Sequence, residues 1–223
     1  MISHAKTSFK WRKNSSQNNS YGAWALGAND ADTLSGQDRR MLLATAARSI
    51  RHGLAHGKRP EVAVTSFVRE LRNRRASFVT LKLDGELRGC IGSLGPRMTL
   101  AEDVARNAWS AAFEDPRFAP LTRDDFDRLS IEVSVLGVAA DMDVSGEADL
   151  LAKLRPGRDG LILADGDRRG LFLPQVWKSL PTPADFVGHL KRKAGLAPDH
   201  WSETMTARRF STESFGAPVR ELL

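Results

Sequence analysis

The sequence predicts an α+β fold, with a mixed or antiparallel sheet and flanking helices. The first of two predicted β-hairpins alternates apolar and polar residues before an Asp-Gly turn at residues 84–85, and the second joins two apolar segments around Asp165-Gly166-Asp167. Segments with helical periodicity lie between the strands without a regular βαβ rhythm. The 223 residues are 41% hydrophobic and 27% charged, which is enough for a sizeable core.

The elements follow from periodicity, capping residues and turn residues. The predicted helical segments are one capped by Ser35 or Asp38 and ending near residue 52, then 99–113, a turn at 123–129, 148–154, and 183–194. The predicted strands are 78–83 and its return arm through residue 92, 131–135, 160–164, 170–173, and a final strand over 204–215. Residues 53–60 are predicted to break the first helix.

Composition divides the chain into three parts. Residues 1–36 are rich in Ser, Asn, Gln and Gly, carry a net charge of +2 and lack periodicity, so they are predicted to be a disordered basic tail. Residues 37–216 carry the apolar periodicity of a folded domain, and 217–223 are predicted to be a C-terminal tail. We expect the folded part to be stable without the first 34 residues.

Charge and cysteine content narrow the functional classes. The formal net charge is +6 and is spread along the chain, which is not the clustered basic stripe of a nucleic-acid-binding protein. No apolar run is long enough for a membrane span, so no membrane association is expected. A single cysteine cannot form an internal disulfide, and a cytoplasmic location is the simplest interpretation.

The first hairpin decides where the one cysteine, Cys90, points. A two-residue loop of Asp84 and Gly85 would place Leu81 opposite Arg88 and mix the two faces. We therefore favour a three-residue loop with Gly85 in the left-handed conformation, which places Leu81 opposite Leu87 and Lys82 opposite Glu86. In that register Arg88 and Cys90 share the polar face of Thr80 and Lys82, while Gly89 and Gly92 allow close approach to the backbone or a bulge.

Cys90 admits two interpretations. A neighbouring guanidinium, Arg88 or Arg117, would favour the thiolate form that a nucleophile needs, but a lone cysteine in a strand is often only a small buried hydrophobic residue. Arg117 follows a rigid Asp-Pro turn and suits a carboxylate or phosphate clamp, or else an ion pair with Asp115. Glu132 is either an acid–base group or a surface residue that forms an ion pair with Arg88.

The sequence gives little support for a metal site or a nucleotide-binding site. His52 and His56 are four residues apart, as two metal ligands on a helix would be, but no third ligand is close in sequence and a solvated helix end is favoured. The chain lacks the His-Glu-x-x-His, Cys-x-x-Cys and Gly-Lys-Ser/Thr motifs. No metal site is predicted, and the sequence identifies no cofactor.

Four blocks in order resemble the AMMECR family, known in prokaryotes as AmmeMemoRadiSam system protein A. They are Leu87-Arg88-Gly89-Cys90-Ile91-Gly92, Asp115-Pro116-Arg117-Phe118 with Pro120-Leu121-Thr122, Ile131-Glu132-Val133-Ser134-Val135-Leu136, and Gly160-Leu161-Ile162-Leu163 leading to Leu173-Pro174-Gln175-Val176-Trp177 and Lys193-Ala194-Gly195-Leu196. The resemblance covers residues 37–216 and implies an α+β body of two interleaved subdomains with a cleft between them. It also implies Memo-like and radical S-adenosylmethionine proteins as partners.

The residues of these blocks that we expect at a site fall into two groups. Cys90 and Glu132 are the candidate catalytic residues. The candidate binding residues are Arg88, Gly89, Gly92, Asp115, Arg117 and Ser134. Two function classes follow: an enzyme component that acts on a small anionic ligand in a cleft around Cys90, or a non-catalytic binding or scaffold protein of the same system. The two differ in whether Cys90 lies exposed among basic neighbours or sealed in the core.

Overall fold

The computed structural model describes residues 34–223, so the predicted tail lies almost wholly outside the described residues. The helices are α1 (Gly36–His56), α2 (Arg69–Arg72), α3 (Leu100–Phe113), α4 (Glu147–Lys153) and α5 (Pro183–Lys193). The strands are β1 (Ser77–Leu83), β2 (Glu86–Gly92), β3 (Leu129–Leu136), β4 (Ala140–Met142), β5 (Gly160–Asp165), β6 (Arg168–Phe172), β7 (Thr206–Phe210) and β8 (Thr212–Pro218). None of these helices is both long and apolar enough to cross a membrane.

The strands form two four-stranded sheets. The first has the order β2-β1-β3-β8 and the second the order β4-β7-β5-β6, and every strand pair is antiparallel. The α+β prediction is therefore confirmed, with antiparallel rather than mixed sheets. Helices cover the apolar face of the first sheet, whereas β5 of the second sheet has buried residues on both of its faces, at Leu161, Ile162 and Leu163.

The first sheet packs its apolar face on α1 and α3. Val79 and Leu81 of β1 and Ile131 and Val133 of β3 are fully or almost fully buried in this core. Of the two predicted caps, Ser35 is the N-cap of α1, and Asp38 forms a capping box with it. The alternating residues of these strands face away from the helices, which leaves one polar face of the sheet available for a site.

A second core lies under the second sheet, and a small third cluster joins the two sheets. Trp177 stacks on Phe186 with ring centroids 3.9 Å apart, and its Nε1 donates to the carbonyl oxygen of Asp159 at 2.7 Å. Trp177 is thus a buried residue of the second core. The joining cluster includes Ala76 and Leu136 from the first-sheet side and residues of the second sheet.

A buried polar network fixes α3 to the ends of the first hairpin. The Asp103 carboxylate accepts hydrogen bonds from the backbone N–H and hydroxyl of Ser77, at 2.8 and 2.7 Å, and from the hydroxyl of Ser93. Asn107 donates to the same carboxylate at 2.9 Å and to the Ser77 carbonyl at 3.0 Å. Burial raises the pKa of Asp103, and the hydrogen bonds only partly oppose it.

Two predicted boundaries are wrong. The segment 204–215 is not one strand, because the chain breaks at Ser211 and passes from β7 in the second sheet to β8 in the first. Helix α1 does not break at Gly53 but continues to His56 and ends at Gly57, whose φ is 66°. Gly53 is needed there because a Cβ would lie 2.4 Å from the Phe113 ring and 2.7 Å from Nε1 of Trp109.

The register of the first hairpin also differs from the prediction. Leu83 pairs with Glu86, so the loop is the two residues Asp84 and Gly85, with φ values of 51° and 90°. A bulge then removes Arg88 from the register and places Leu81 opposite Gly89. The bulge corrects the mixing of faces that argued against the two-residue loop. Gly85 is left-handed as predicted, but Leu87 lies opposite Lys82 and is exposed.

Candidate functional site

A cleft of about 800 Å³ lies on the polar face of the first sheet. Its first wall comes from the central and outer strands of that sheet: Thr80, Lys82, Glu132, Thr212, Ser214 and Gly216. The facing wall comes from the segments that flank the second sheet, with Pro156, Gly157, Pro174, Gln175, Trp177 and Lys178. Its volume lies in the range of sites that hold small molecules.

The strand register aligns two of the candidate residues in one row. Thr80 of β1 pairs with Cys90 of β2 on one side and with Glu132 of β3 on the other, and Glu132 pairs with Gly216 of β8. Directly opposed residues point to the same face of a sheet. Cys90, Thr80 and Glu132 therefore share the cleft-facing side, and the predicted side for Cys90 agrees with this register.

Cys90 is half-buried beside the cleft. The Thr80 hydroxyl, which lines the cleft, lies 3.2 Å from the Cys90 sulfur and donates to it. Lys193 lies close enough to Cys90 and Arg117 for their charges to act on it. Burial lowers the pKa of Lys193, a charge on Cys90 opposes this change, and the Arg117 guanidinium adds to it. The thiol thus has two cationic neighbours, Arg117 from the segment after α3 and Lys193 from the end of α5.

Lys193 is held in place by the second sheet. Its Nζ donates to the carbonyl oxygen of Leu171 at 2.9 Å and lies 5.1 Å from the centroid of the Phe172 ring. Leu171 and Phe172 both belong to β6, and α5 packs closely on this strand at Gly170. The ammonium position therefore depends on the packing of α5 against the second sheet.

Asp115 and Arg117 form an ion pair, which was one of the two predictions for Arg117, beside a clamp for a ligand carboxylate or phosphate. Nη2 and Nε of Arg117 donate to the carboxylate of Asp115 at 2.7 and 2.9 Å, and the backbone N–H of Cys90 donates to it at 2.8 Å. Hydrogen bonds from the Arg117 guanidinium hold the pKa of Asp115 down at about 2. Burial opposes this shift, and the backbone N–H groups of Cys90 and Arg117 contribute to it. Arg117 keeps 53% of its side chain exposed, so it retains donors for a ligand.

Arg88 does not form the predicted pair with Glu132. Its Nη2 donates to the carbonyl oxygen of Ala119 at 2.7 Å, and its Nη1 is buried without a partner among the described residues. The ring of Phe118 lies within 6 Å of both the Arg88 and the Arg117 guanidinium groups. The bulge at Arg88 explains this placement, because it takes the residue out of the alternation that would have aimed it across the sheet.

The two glycines of the motif have packing roles. A Cβ on Gly89 would lie 2.1 Å from the carbonyl oxygen of Ala111, so the backbone of α3 touches the strand there. A Cβ on Gly92 would lie 2.2 Å from the ring of Phe78. The predicted close approach at both positions is therefore made by the protein itself, by α3 at Gly89 and by the Phe78 ring at Gly92.

The remaining candidates line the sheet face. Glu132 Oε2 lies 3.5 Å from Lys82 Nζ, and both side chains are partly exposed to the cleft. Ser134 and Ser214 share a hydrogen bond of 2.8 Å between their hydroxyl groups. Both pairs join neighbouring strands, so a ligand in the cleft would meet a carboxylate, an ammonium and hydroxyl groups.

The structure thus brings Cys90, Glu132 and Ser134 to one face and collects Arg88, Asp115 and Arg117 at the outer edge of β2. Sequence reasoning missed Lys193 and the wall opposite the sheet. Lys193 stands in one of the blocks quoted above, but nothing in a helical lysine indicates contact with a strand a hundred residues away. Within residues 34–223, no group of three or more His, Cys, Asp or Glu side chains is arranged to hold a metal ion.

The fold and cleft define an α+β protein of two antiparallel sheets with a polar site on the first. The AMMECR1 family model matches residues 43–215, and the chain belongs to the AMMECR1 family. A solved structure with the same architecture is the uncharacterized protein PH0010 from Pyrococcus horikoshii, with a TM-score of 0.73 and 34% identity over 79% of this chain and 90% of that one.

Archaeal relatives support the same assignment. The chain is 38% identical to protein MJ0810 of Methanocaldococcus jannaschii over 173 residues, which are 76% of this chain and 85% of the relative. It is 37% identical to protein MK0488 of Methanopyrus kandleri over 200 residues, 83% of this chain and 93% of the relative. The family match over residues 43–215 therefore includes segments of both sheets.

Proposed function

We propose that the cleft binds a small anionic substrate and that Cys90 is the nucleophile of an enzyme component, acting with Memo-like and radical S-adenosylmethionine proteins. The carrying observation is the row of Cys90, Thr80 and Glu132 beside a cleft of about 800 Å³, with Lys193 and Arg117 near the thiol. The thiolate is the reactive form of a cysteine nucleophile, and such nucleophiles typically lie beside cationic groups.

Charge in the cleft supports an anionic ligand. Lys82 and Lys178 both line the cavity, whereas Glu132 is the carboxylate among its lining residues. Glu132 is already neutralised by Lys82 at 3.5 Å, and Lys178 is exposed. A carboxylate or phosphate group of the ligand would find its counter-charge on Lys178.

The distance across the sheet separates the roles of the two candidate catalytic residues. Cys90 and Glu132 stand two strands apart, which is about 10 Å at ordinary strand spacing. Glu132 therefore does not take the proton from the thiol directly. It acts on the bound ligand, as a proton donor or acceptor on the far side of Thr80.

A non-catalytic binding or scaffold protein is the second candidate. It is favoured by the engagement of Asp115 and Arg117 with each other and with the Cys90 backbone, which is an arrangement that holds an edge strand in place. In that case the cleft would still bind its ligand, but Cys90 would have only a packing role.

Labelling of the native protein with iodoacetamide distinguishes the two. If Cys90 is a nucleophile, its labelling at pH 7 should be fast in the folded protein, and Lys193→Gln should slow it about threefold or more because the ammonium no longer favours the thiolate. Lys58→Gln is the matched control, since Lys58 is exposed and forms no ion pair among the described residues. Cys90→Ser should fold with a free energy of unfolding within about 1 kcal/mol of the original protein.

The opposite result is equally clear. A thiol that reacts only after the protein is unfolded, together with a large loss of stability in Cys90→Ser, would make Cys90 a packing residue. The enzyme proposal would then fail and the binding proposal would stand on the cleft alone.

A further inference from the structure

We infer that a second cavity, between α1 and the segment after it, is a binding site for a small phosphorylated organic molecule. This cavity of about 500 Å³ is distinct from the cleft and shares none of its lining residues. It lies on the helical side of the first sheet, and the proposal does not depend on the chemistry of Cys90.

The basic lining comes from one face of α1. Arg48, Arg51, His52 and His56 all line the cavity and recur at spacings of three and four residues, which places them on successive turns of one helix face. The imidazole rings of His52 and His56 lie with centroids 4.4 Å apart. Four nitrogen-bearing side chains thus border one space of limited size.

These groups lack an acidic partner within the described chain. Across residues 34–223, neither Arg48 nor Arg51 forms an ion pair or a hydrogen bond through its side chain. Nε2 of His52 is buried and has no hydrogen-bond partner in the same range. A buried polar nitrogen without a partner costs free energy that a ligand oxygen would recover.

The local charge favours an anion. Glu61 is the one acidic residue among the described lining residues, which include two arginines and two histidines. His56 stands in the last turn of α1, on the same helix face as His52. A terminal phosphate offers several acceptor oxygens, which suits two guanidinium groups and an imidazole better than a single carboxylate does.

The opposite wall indicates that the ligand is larger than a free ion. Pro60, Val62, Ala63 and Phe67 line the cavity from the segment that follows α1, and Ala105 lines it from α3. Val62 and Phe67 pack against the first core, so this wall is anchored rather than loose. An apolar group attached to the phosphate would contact these side chains and leave water.

Titration of the full-length protein with phenyl phosphate and with inorganic phosphate tests the inference, with the histidine ring protons followed by NMR. We expect saturable shifts of the His52 and His56 signals, assigned with His52→Gln and His56→Gln, and tighter binding of phenyl phosphate by about threefold or more because of the apolar wall. Arg48→Gln combined with Arg51→Gln should weaken binding about tenfold or more.

The controls separate this site from general charge and from the cleft. Arg40→Gln removes an exposed arginine from the same helix that does not line the cavity, and it should change the affinity by less than about twofold. Cys90→Ser should leave phosphate binding unchanged, whatever it does to labelling or activity. Absence of saturable shifts, or equal weakening by Arg40→Gln and by the double variant, would overturn the proposal.

Discussion

The carboxylate of Asp115 accepts a hydrogen bond of 2.8 Å from the backbone N–H of Cys90, at the outer edge of β2. Arg117, held by the same carboxylate, donates to the Cys90 carbonyl oxygen at 3.3 Å. The Asp-Pro-Arg turn therefore satisfies the open edge of β2 as a neighbouring strand would. It also fixes the backbone of the one residue in this chain that carries a thiol.

The first prediction concerns this edge contact. Asp115→Asn should lower the free energy of unfolding at neutral pH by at most about 2 kcal/mol, because the carboxylate pKa near 2 lies below its ordinary value of 3.8. A lowered folded-state pKa stabilises the fold above pH 3.8, and this contribution is lost as the pH falls towards 2. Urea unfolding over pH 2–7 should show a steeper acid loss for the original protein than for the variant.

Asp124→Asn is the matched control for that series, because Asp124 is exposed and has no ion pair among the described residues. If both variants follow the same acid profile, Asp115 does not provide the pH-dependent stability assigned to it.

The second prediction concerns the approach of α3 to β2. Gly89→Ala should destabilise the fold by about 2 kcal/mol or more, because the new Cβ would lie 2.1 Å from the Ala111 carbonyl oxygen and the backbone must move. Gly95→Ala, where no atom lies within 4 Å of the added Cβ, should be nearly neutral. Similar melting temperatures for the two variants would show that α3 does not touch the strand at Gly89.

The third prediction concerns the hairpin turn. Gly85→Val should cost about 1 kcal/mol or more, since a β-branched residue resists the φ of 90° found there. Gly85→Asn should cost clearly less, because asparagine tolerates left-handed conformations. Chemical denaturation of the two variants gives the comparison, and an equal cost would argue against a positive φ at this position.

The fourth prediction concerns a fully buried lysine in the second half of the described fold. Lys191 Nζ donates to Glu147 at 2.7 Å and to the Pro198 carbonyl oxygen at 3.0 Å. Glu147→Ala should cost about 3 kcal/mol because it leaves a buried ammonium without its counter-charge. Adding Lys191→Met to that variant should restore part of the lost stability, which a double-mutant cycle in urea would measure.

If Lys191→Met instead makes the Glu147→Ala protein still less stable, the burial of the charge is not what makes the single variant costly. The ammonium would then contribute mainly through its hydrogen bond to Pro198.

Local patterns determined much of the fold. Alternation in β1 and β3 identified which residues face the helices, and Val79, Leu81, Ile131 and Val133 are buried as that pattern requires. The cap of α1 was readable because a cap is formed by residues three positions apart, here Ser35 and Asp38. The four blocks were sufficient for the family, which the match over residues 43–215 confirms.

Contacts between distant segments decided the rest. The bulge at Arg88 keeps Leu81 and Gly89 on the face that α3 covers. A prediction made from the hairpin sequence alone does not include α3 and therefore cannot place the bulge. The division of 204–215 between two sheets depends in the same way on which strands stand beside it.

The candidate site likewise combines features set by local pattern with features set by contacts between distant segments. The sequence by itself placed Cys90 on the side of Thr80, because side-chain alternation is a local property of a strand. Only the tertiary structure decided that Lys193 approaches the thiol, that Asp115 and Arg117 bind the edge of β2, and that Arg88 turns towards Ala119. These relationships arise because α5 and the segment after α3 pack against a strand far from them in sequence, and pairings at such separations leave no periodicity in a single chain.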